Sequence, residues 1–195
     1  MKAADLPTYY NICEILEHNL EHRGDKTALL SENGSFTFRE VSEQVNRVGN
    51  ALIRSGLQFG ECVAILCPDR PEWVSVFFAT AKIGGVALGL NTLLKTDEYD
   101  YILKDARVKI LVVHDSLKAL VEPIIKKHDT LIKVITVTDN KSIKCTTFTD
   151  WIDGEKSELD SATTHREDFC SLHYSSGTTG VPKGVLHMHK DYPLI

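Results

Sequence analysis

The chain has no block of lysines and arginines able to neutralise a run of phosphates. Its 22 basic residues are scattered among 27 acidic ones, and the formal net charge is −5. Nucleic-acid binding, which draws on clustered cations, is excluded on that ground. Long apolar runs are also missing: none approaches the ~20 residues of a membrane span, and the start, MKAADLPTYY, lacks the apolar stretch of a secretory signal. The cysteines (Cys13, Cys62, Cys67, Cys145, Cys170) are odd in number and have no C-x-x-C spacing, which argues against a disulfide framework. Cys62 and Cys67 flank an apolar run, where free thiols behave as small hydrophobes, and a reducing cytoplasm is the compartment this usage suggests. No internal repeat or heptad pattern is found. What remains, 43% hydrophobic and 25% charged over 195 residues, is the balance of an ordinary globular protein with one domain, or one and a half.

Strand-like and helix-like segments alternate along the chain. Ile12, Ile15, Leu16 and Leu20 lie at helical spacing within residues 11–21 and predict a helix with one apolar face. Strand-like residues 27–30 and 36–38 surround Asn33-Gly34, which supplies the positive φ of a tight hairpin turn. Thr37-Phe38-Arg39-Glu40 reads as a capping box. The helix it opens carries Val41, Val45, Val48 and Leu52 on one stripe and is predicted to end near Gly56. Residues 62–66 form the continuous apolar run of a strand covered on both faces.

Pro71 suits the first turn of the next helix, on which Trp73, Val74, Phe77, Phe78 and Ala81 fall at helical spacing before Gly84-Gly85 stops it. Strands follow at 86–90, 110–113 and 132–137, separated by a helix from Thr96 to Ala106 and another through Leu117–Ile124 that Pro123 kinks or shortens. Residues 140–168 are polar, anchored only by Phe148, Trp151 and Ile152, and predict a long surface excursion with one short helix. Residues 169–174 return to an apolar strand. This alternation predicts an α/β fold with a mainly parallel sheet flanked by helices.

The chemistry is concentrated in Tyr174-Ser175-Ser176-Gly177-Thr178-Thr179-Gly180-Val181-Pro182-Lys183-Gly184, directly after that strand. Glycines let the backbone approach a bulky anion, and successive N–H groups then form a concave nest for phosphate oxygens. Ser175, Ser176, Thr178 and Thr179 add hydroxyl donors, and Lys183 adds a mobile positive charge. The spacing is neither the common GxxxxGK[ST] loop nor GxGxxG. A Gly/Ser/Thr-rich segment is ordinarily a flexible turn, but the ordered string SSGTTGxPKG after a strand is more specific than its composition.

These eleven residues resemble the signature of the adenylate-forming superfamily: acyl- and aryl-CoA ligases, firefly-type luciferases and peptide-synthetase adenylation domains. The resemblance runs along nearly the whole chain. Residues 36–40 are similar to the family's Thr-Tyr-x-Glu-Leu at the head of an early helix, and Gly84-Gly85-Val86 to its mid-sheet Gly-x-Val turn. Asn91-Thr92-Leu93-Leu94, Asp100-Tyr101 and His187-Met188-His189 are most similar to the benzoate-CoA ligase branch.

The resemblance implies a two-step reaction. ATP and a small-molecule carboxylate give an acyl-adenylate and pyrophosphate; the CoA thiol then displaces AMP. Ser175, Ser176, Gly177, Thr178, Thr179, Gly180 and Lys183 would bind the nucleotide, gripping its β- and γ-phosphates while Mg2+ shares their charge. It further implies that residues 1–195 are the N-terminal part of the AMP-binding domain, ending just after the phosphate-binding loop at 174–184. The adenine and substrate pockets, the acidic magnesium ligand, the ribose-binding Asp, the hinge and the C-terminal catalytic domain with its lysine have no counterpart here. No catalytic residue is therefore assigned, and the piece is expected to be inactive alone, to self-associate through exposed apolar surface and strand edges, and to lose order from about Gly177.

Two other classes stay open: a non-catalytic phosphate-binding or interaction module, and a peptide-synthetase adenylation domain that serves a carrier protein. His187 and His189 are two apart and lack the partners of a metal site, so surface or supporting roles are expected. Cys170 is read as a buried, inert thiol, the Trp73–Phe77–Phe78 stripe as core, and His165-Arg166-Glu167-Asp168 as a solvated charged approach to a strand.

Overall fold

A computed structural model describes residues 6–32, 34–140, 145–175 and 182–194. Two short helices, α1 (Glu14–Glu17) and α2 (Leu20–Arg23), replace the single helix the apolar spacing suggested. The break falls at Asn19, whose N–H bonds the Leu16 carbonyl at 3.2 Å and whose Nδ2 donates to the Ile15 carbonyl at 2.8 Å. Asn11 Oδ1 accepts the Cys13 N–H at 3.0 Å while its Nδ2 donates to the carbonyls of Ala81 and Lys82, so the residue forms a turn and ties the chain down. Strands β1 (Thr27–Ser31) and β2 (Gly34–Thr37) form the expected antiparallel hairpin, with Gly34 at φ 127°. Asn33 lies outside the described residues.

The capping box is present. Thr37 Oγ1 accepts the Glu40 N–H at 3.2 Å and Glu40 Oε2 accepts the Thr37 N–H at 2.8 Å, opening α3 (Phe38–Arg54). Val41, Val45, Val48 and Leu52 are all buried, and Gly56 just past the helix takes φ 89°.

The main sheet contains β3 (Cys62–Leu66), β4 (Val86–Gly89), β5 (Ile110–His114), β6 (Lys133–Val137), β7 (Phe169–Ser175) and β8 (Lys183–Met188), in the order β6-β5-β3-β4-β7-β8. The first five are parallel neighbours; β8 joins antiparallel to β7. The connecting helices are α4 (Pro71–Lys82), α5 (Thr96–Asp105) and α6 (Asp115–Ile125). α6 contains Pro123 and ends two residues later.

Because side chains alternate along a strand, Val63 and Ile65 of β3 join a core with α3 and α4, while Cys62, Ala64 and Leu66 join a second core with α5 and α6. Each buried Val, Leu or Ile on these faces contributes roughly 1.5–3 kcal/mol relative to exposure. The sheet is thus a three-layer α/β sandwich, as the alternation of elements predicted.

The excursion at 140–168 carries one short helix, α7 (Phe148–Ile152), and is pinned to α3. Trp151 is 2% exposed and its Nε1 donates to Ser55 Oγ at 3.0 Å, while Asn46 and Asn50 donate to the carbonyls of Ser157, Lys156 and Glu158. Residues 141–144 lie outside the described residues. At the far end, the expected loss of order beyond Gly177 does not hold at 183–194: β8 closes a hairpin with β7, and His189–Leu194 form a 3-10 turn.

Candidate functional site

The α4 connection from β3 to β4 runs on one face of the sheet, and the α5 connection from β4 to β5 runs back past β3 on the other. The two chains part at the carboxyl ends of β3 and β4, the position at which parallel sheets leave a crevice. One is found there, with a volume of about 510 Å³. Cys67, Pro68 and Asp69 after β3, Asn91 and Thr92 after β4, and His173 and Tyr174 from β7 line it, with Trp73 from the first turn of α4. Gly89 leaves room in its wall: a β-carbon there would lie 3.1 Å from Trp73 Cζ2. Trp73 stacks on Phe77 with centroids 5.3 Å apart, so the expected core stripe also supplies a crevice wall. Arg70, next to the crevice, forks onto Asp139 and Glu72 at 3.0–3.3 Å.

The hydroxyl- and glycine-rich loop leaves the same end of the sheet. Ser175 pairs with Lys183 and Tyr174 with Gly184, so β7 and β8 form a hairpin stem fixed in register. Ser175 and Lys183 are both exposed at the top of that stem. Of the anticipated loop residues, Ser176, Gly177, Thr178, Thr179 and Gly180 lie outside the described residues. Tyr174 OH donates to Asp105 Oδ2 at 2.5 Å, joining the stem to the end of α5.

On the opposite face of β7, Ser171 Oγ lies 2.7 Å from Tyr192 OH and 3.4 Å from His173 Nε2. The His173 and His187 rings meet edge to face at 5.5 Å, and His187 Nδ1 is 3.7 Å from Asp191 Oδ2. Burial, with His187 beside it, lowers the pKa of His173, which favours the neutral imidazole facing the crevice. Of the surface or supporting roles expected of these histidines, His189 has the supporting one. It is fully buried, and its Nδ1 accepts the Ile12 N–H at 3.1 Å, tying the 3-10 turn to the N-terminal segment.

Cys170 is buried, with its thiol pushed up to about 12 chiefly by desolvation, as befits an unreactive side chain. His165 and Asp168 close a local turn, the His165 N–H bonding Asp168 Oδ2, while the Arg166 N–H reaches the Thr8 carbonyl of the N-terminal segment. Among the described residues no group of three or more His, Cys, Asp or Glu side chains is arranged to hold a metal ion. The crevice residues Asp69, Trp73 and His173 carried no motif in the sequence; only their gathering at the carboxyl ends of the strands identifies them.

A family model described as AMP-binding enzyme matches residues 16–193. The benzoate–CoA ligase of Thauera aromatica is 32% identical over 97% of the chain, which spans 36% of that protein. A 3-hydroxybenzoate/4-hydroxybenzoate–CoA ligase of the same organism is 33% identical over 86% of the chain and 32% of its own length. The chain thus spans about a third of the length of the curated relatives it matches. Among solved structures, the anthranilate CoA ligase AuaEII in complex with anthranoyl-AMP superposes with a TM-score of 0.96 at 49% identity, covering 100% of this chain and 38% of that one. In the described residues no helix is long and apolar enough to cross a membrane.

Proposed function

The chain belongs to the AMP-binding enzyme family, and from that premise we propose that it is the nucleotide-gripping N-terminal part of an ATP-dependent aryl-CoA ligase. The reaction has two steps. A carboxylate oxygen attacks the α-phosphorus of Mg-ATP, the bond from that phosphorus to pyrophosphate breaks, and an acyl-adenylate forms. The CoA thiol, losing its proton, then attacks the acyl carbon and expels AMP. An aromatic acid of the benzoate type is favoured, because the benzoate and hydroxybenzoate ligases of Thauera aromatica and the anthranilate ligase AuaEII match along nearly the whole chain.

The observation that carries the reading is the hairpin stem. It holds Ser175 and Lys183 side by side at the carboxyl end of the sheet, beside the switch-point crevice. Between them, Ser176, Gly177, Thr178, Thr179 and Gly180 supply hydroxyl and backbone donors for the β- and γ-phosphates. As pyrophosphate departs it gains negative charge, and a pre-positioned ammonium at Lys183 with several donors stabilises that charge without reorganisation. Magnesium enters with ATP as part of the substrate.

A cytoplasmic location agrees with the free thiols, and self-association through the β8 edge agrees with Val185 and Leu186, 47% and 46% exposed there. Assay of the complete gene product with Mg-ATP, CoA and benzoate, hydroxybenzoate or aminobenzoate should yield AMP and the aryl thioester. Lys183→Ala should lower pyrophosphate formation roughly 100-fold, the loss typical of one charge-stabilising donor. Full activity in that variant would sink the proposal, and transfer only to a carrier protein would redirect it to a peptide-synthetase branch. Residues 1–195 alone should release no pyrophosphate above background.

A further inference from the structure

Asp105 sits at the last position of α5, where a carboxylate faces the negative end of the helix dipole. Helix stability gives no reason for an acid there, and a residue that breaks a local rule is commonly held for another purpose. The helix end is itself rigidly defined. Arg107 takes a left-handed φ of 48°, its N–H bonds the Lys104 carbonyl, and the Val108 N–H bonds the Leu103 carbonyl, each at 3.1 Å. This paired closure of the last turn holds Asp105 in place.

From β7, the Tyr174 hydroxyl reaches Asp105 Oδ2 at 2.5 Å. Its ring crosses the neighbouring strand at Gly184, where a β-carbon would lie 3.3 Å from Tyr174 Cζ and 3.0 Å from Leu172 Cδ1. Gly184 is therefore needed for close approach, its φ being outside the positive range. Tyr174 pairs with Gly184 on the rung immediately below Ser175 and Lys183.

We propose that Tyr174 and Asp105 are a positioning pair that clamps the stem of the phosphate hairpin to α5 and so fixes the placement of Ser175 and Lys183 at its top. The inference rests on the reading of that loop as a polyphosphate site. Neither side chain touches the phosphates; both act through the rung above. A hydrogen bond from a phenol to a carboxylate is charge-assisted, about twice as strong as a neutral one, so it suits a clamp.

The test uses residues 1–195 with Mg-ATP and inorganic tripolyphosphate as probes, together with amide hydrogen exchange across residues 183–185. Tyr174→Phe and Asp105→Ala should each weaken tripolyphosphate binding about five- to tenfold. Both should speed exchange at Lys183 and Gly184 while leaving β3 and β5 protected. Asp105→Asn, whose amide oxygen still accepts the Tyr174 proton in a neutral and weaker bond, should recover part of both effects. The double variant Tyr174→Phe/Asp105→Ala should be no worse than either single one, because the two remove the same bond.

Unchanged affinity and exchange in both single variants, or no recovery with Asn, would overturn the pair. Lys183→Ala separates the two claims. If it binds as tightly as the parent chain, or if neither probe binds any form, the phosphate reading fails. The clamp is then decided by exchange alone: faster exchange confined to the stem supports it, and unaltered exchange refutes it.

Discussion

Acid should weaken this fold through one histidine. His189 is fully buried and accepts the Ile12 N–H on Nδ1, which requires the neutral tautomer with its proton on Nε2. Among the described residues Nε2 has no hydrogen-bond partner. Desolvation pushes the imidazole down to about 4, against a small opposing effect of Asp168. In the unfolded chain the same group titrates near ~6.5. Between those values the unfolded chain binds a proton that the folded chain refuses, so the unfolded state is favoured increasingly as pH falls.

The contribution is whole above about pH 6.5, declines through the window down to about 4, and levels off below it. A separation of about 2.5 units at ~1.36 kcal/mol each gives a loss of about 3 kcal/mol, a large share of an ordinary domain's stability. His173, also lowered by burial, adds loss of the same sign. Urea unfolding followed by tryptophan fluorescence from pH 8 to pH 4.5 would measure it. His189→Asn, which keeps an acceptor near the Nδ1 position but cannot titrate, should start less stable at pH 8 and lose much less on acidification. A pH slope as steep in His189→Asn as in the parent, or an NMR titration of His189 near its ordinary value, would refute the reasoning.

Two further outcomes follow from other parts of the molecule. Lys82 is 3% exposed, and its ammonium bonds Glu17 Oε1 at 2.7 Å and Asn46 Oδ1 at 2.6 Å. Glu17→Gln should destabilise by about 3 kcal/mol by leaving a buried cation uncompensated, whereas Lys82→Met with Glu17→Gln should recover part of it, as thermal unfolding would report. The β8 edge, with Val185 and Leu186 exposed, should make residues 1–195 associate in light scattering, and Val185→Lys should shift the chain toward monomer; a concentration-independent monomer in the unaltered chain would contradict this.

Local chemistry was enough to specify much of the fold. The capping box at Thr37 and Glu40, the stripe from Val41 to Leu52, Pro71 at a helix start and the apolar run of β3 each involve residues a few positions apart, so their signals survive in one dimension. The string from Tyr174 to Gly184, for which we propose phosphate binding, stands out in the sequence for the same reason, being contiguous. β8 was not read, because Gly184 weakens its strand signal and its partner lies across the loop. Nor was the split of the first helix, where the Asn19 side chain takes the Ile15 carbonyl out of the helical ladder.

The sequence by itself determined the layers and most of the elements, all products of short-range spacing. Only the tertiary structure decided which distant side chains meet. The strand order brings Asp69, Trp73, Asn91 and His173 to one crevice, carries Asp105 to Tyr174, and seals His189 beneath Ile12. Those juxtapositions depend on crossovers between strands far apart along the chain. No local propensity records them, because the free energy that selects them comes from burying both faces of the whole sheet at once.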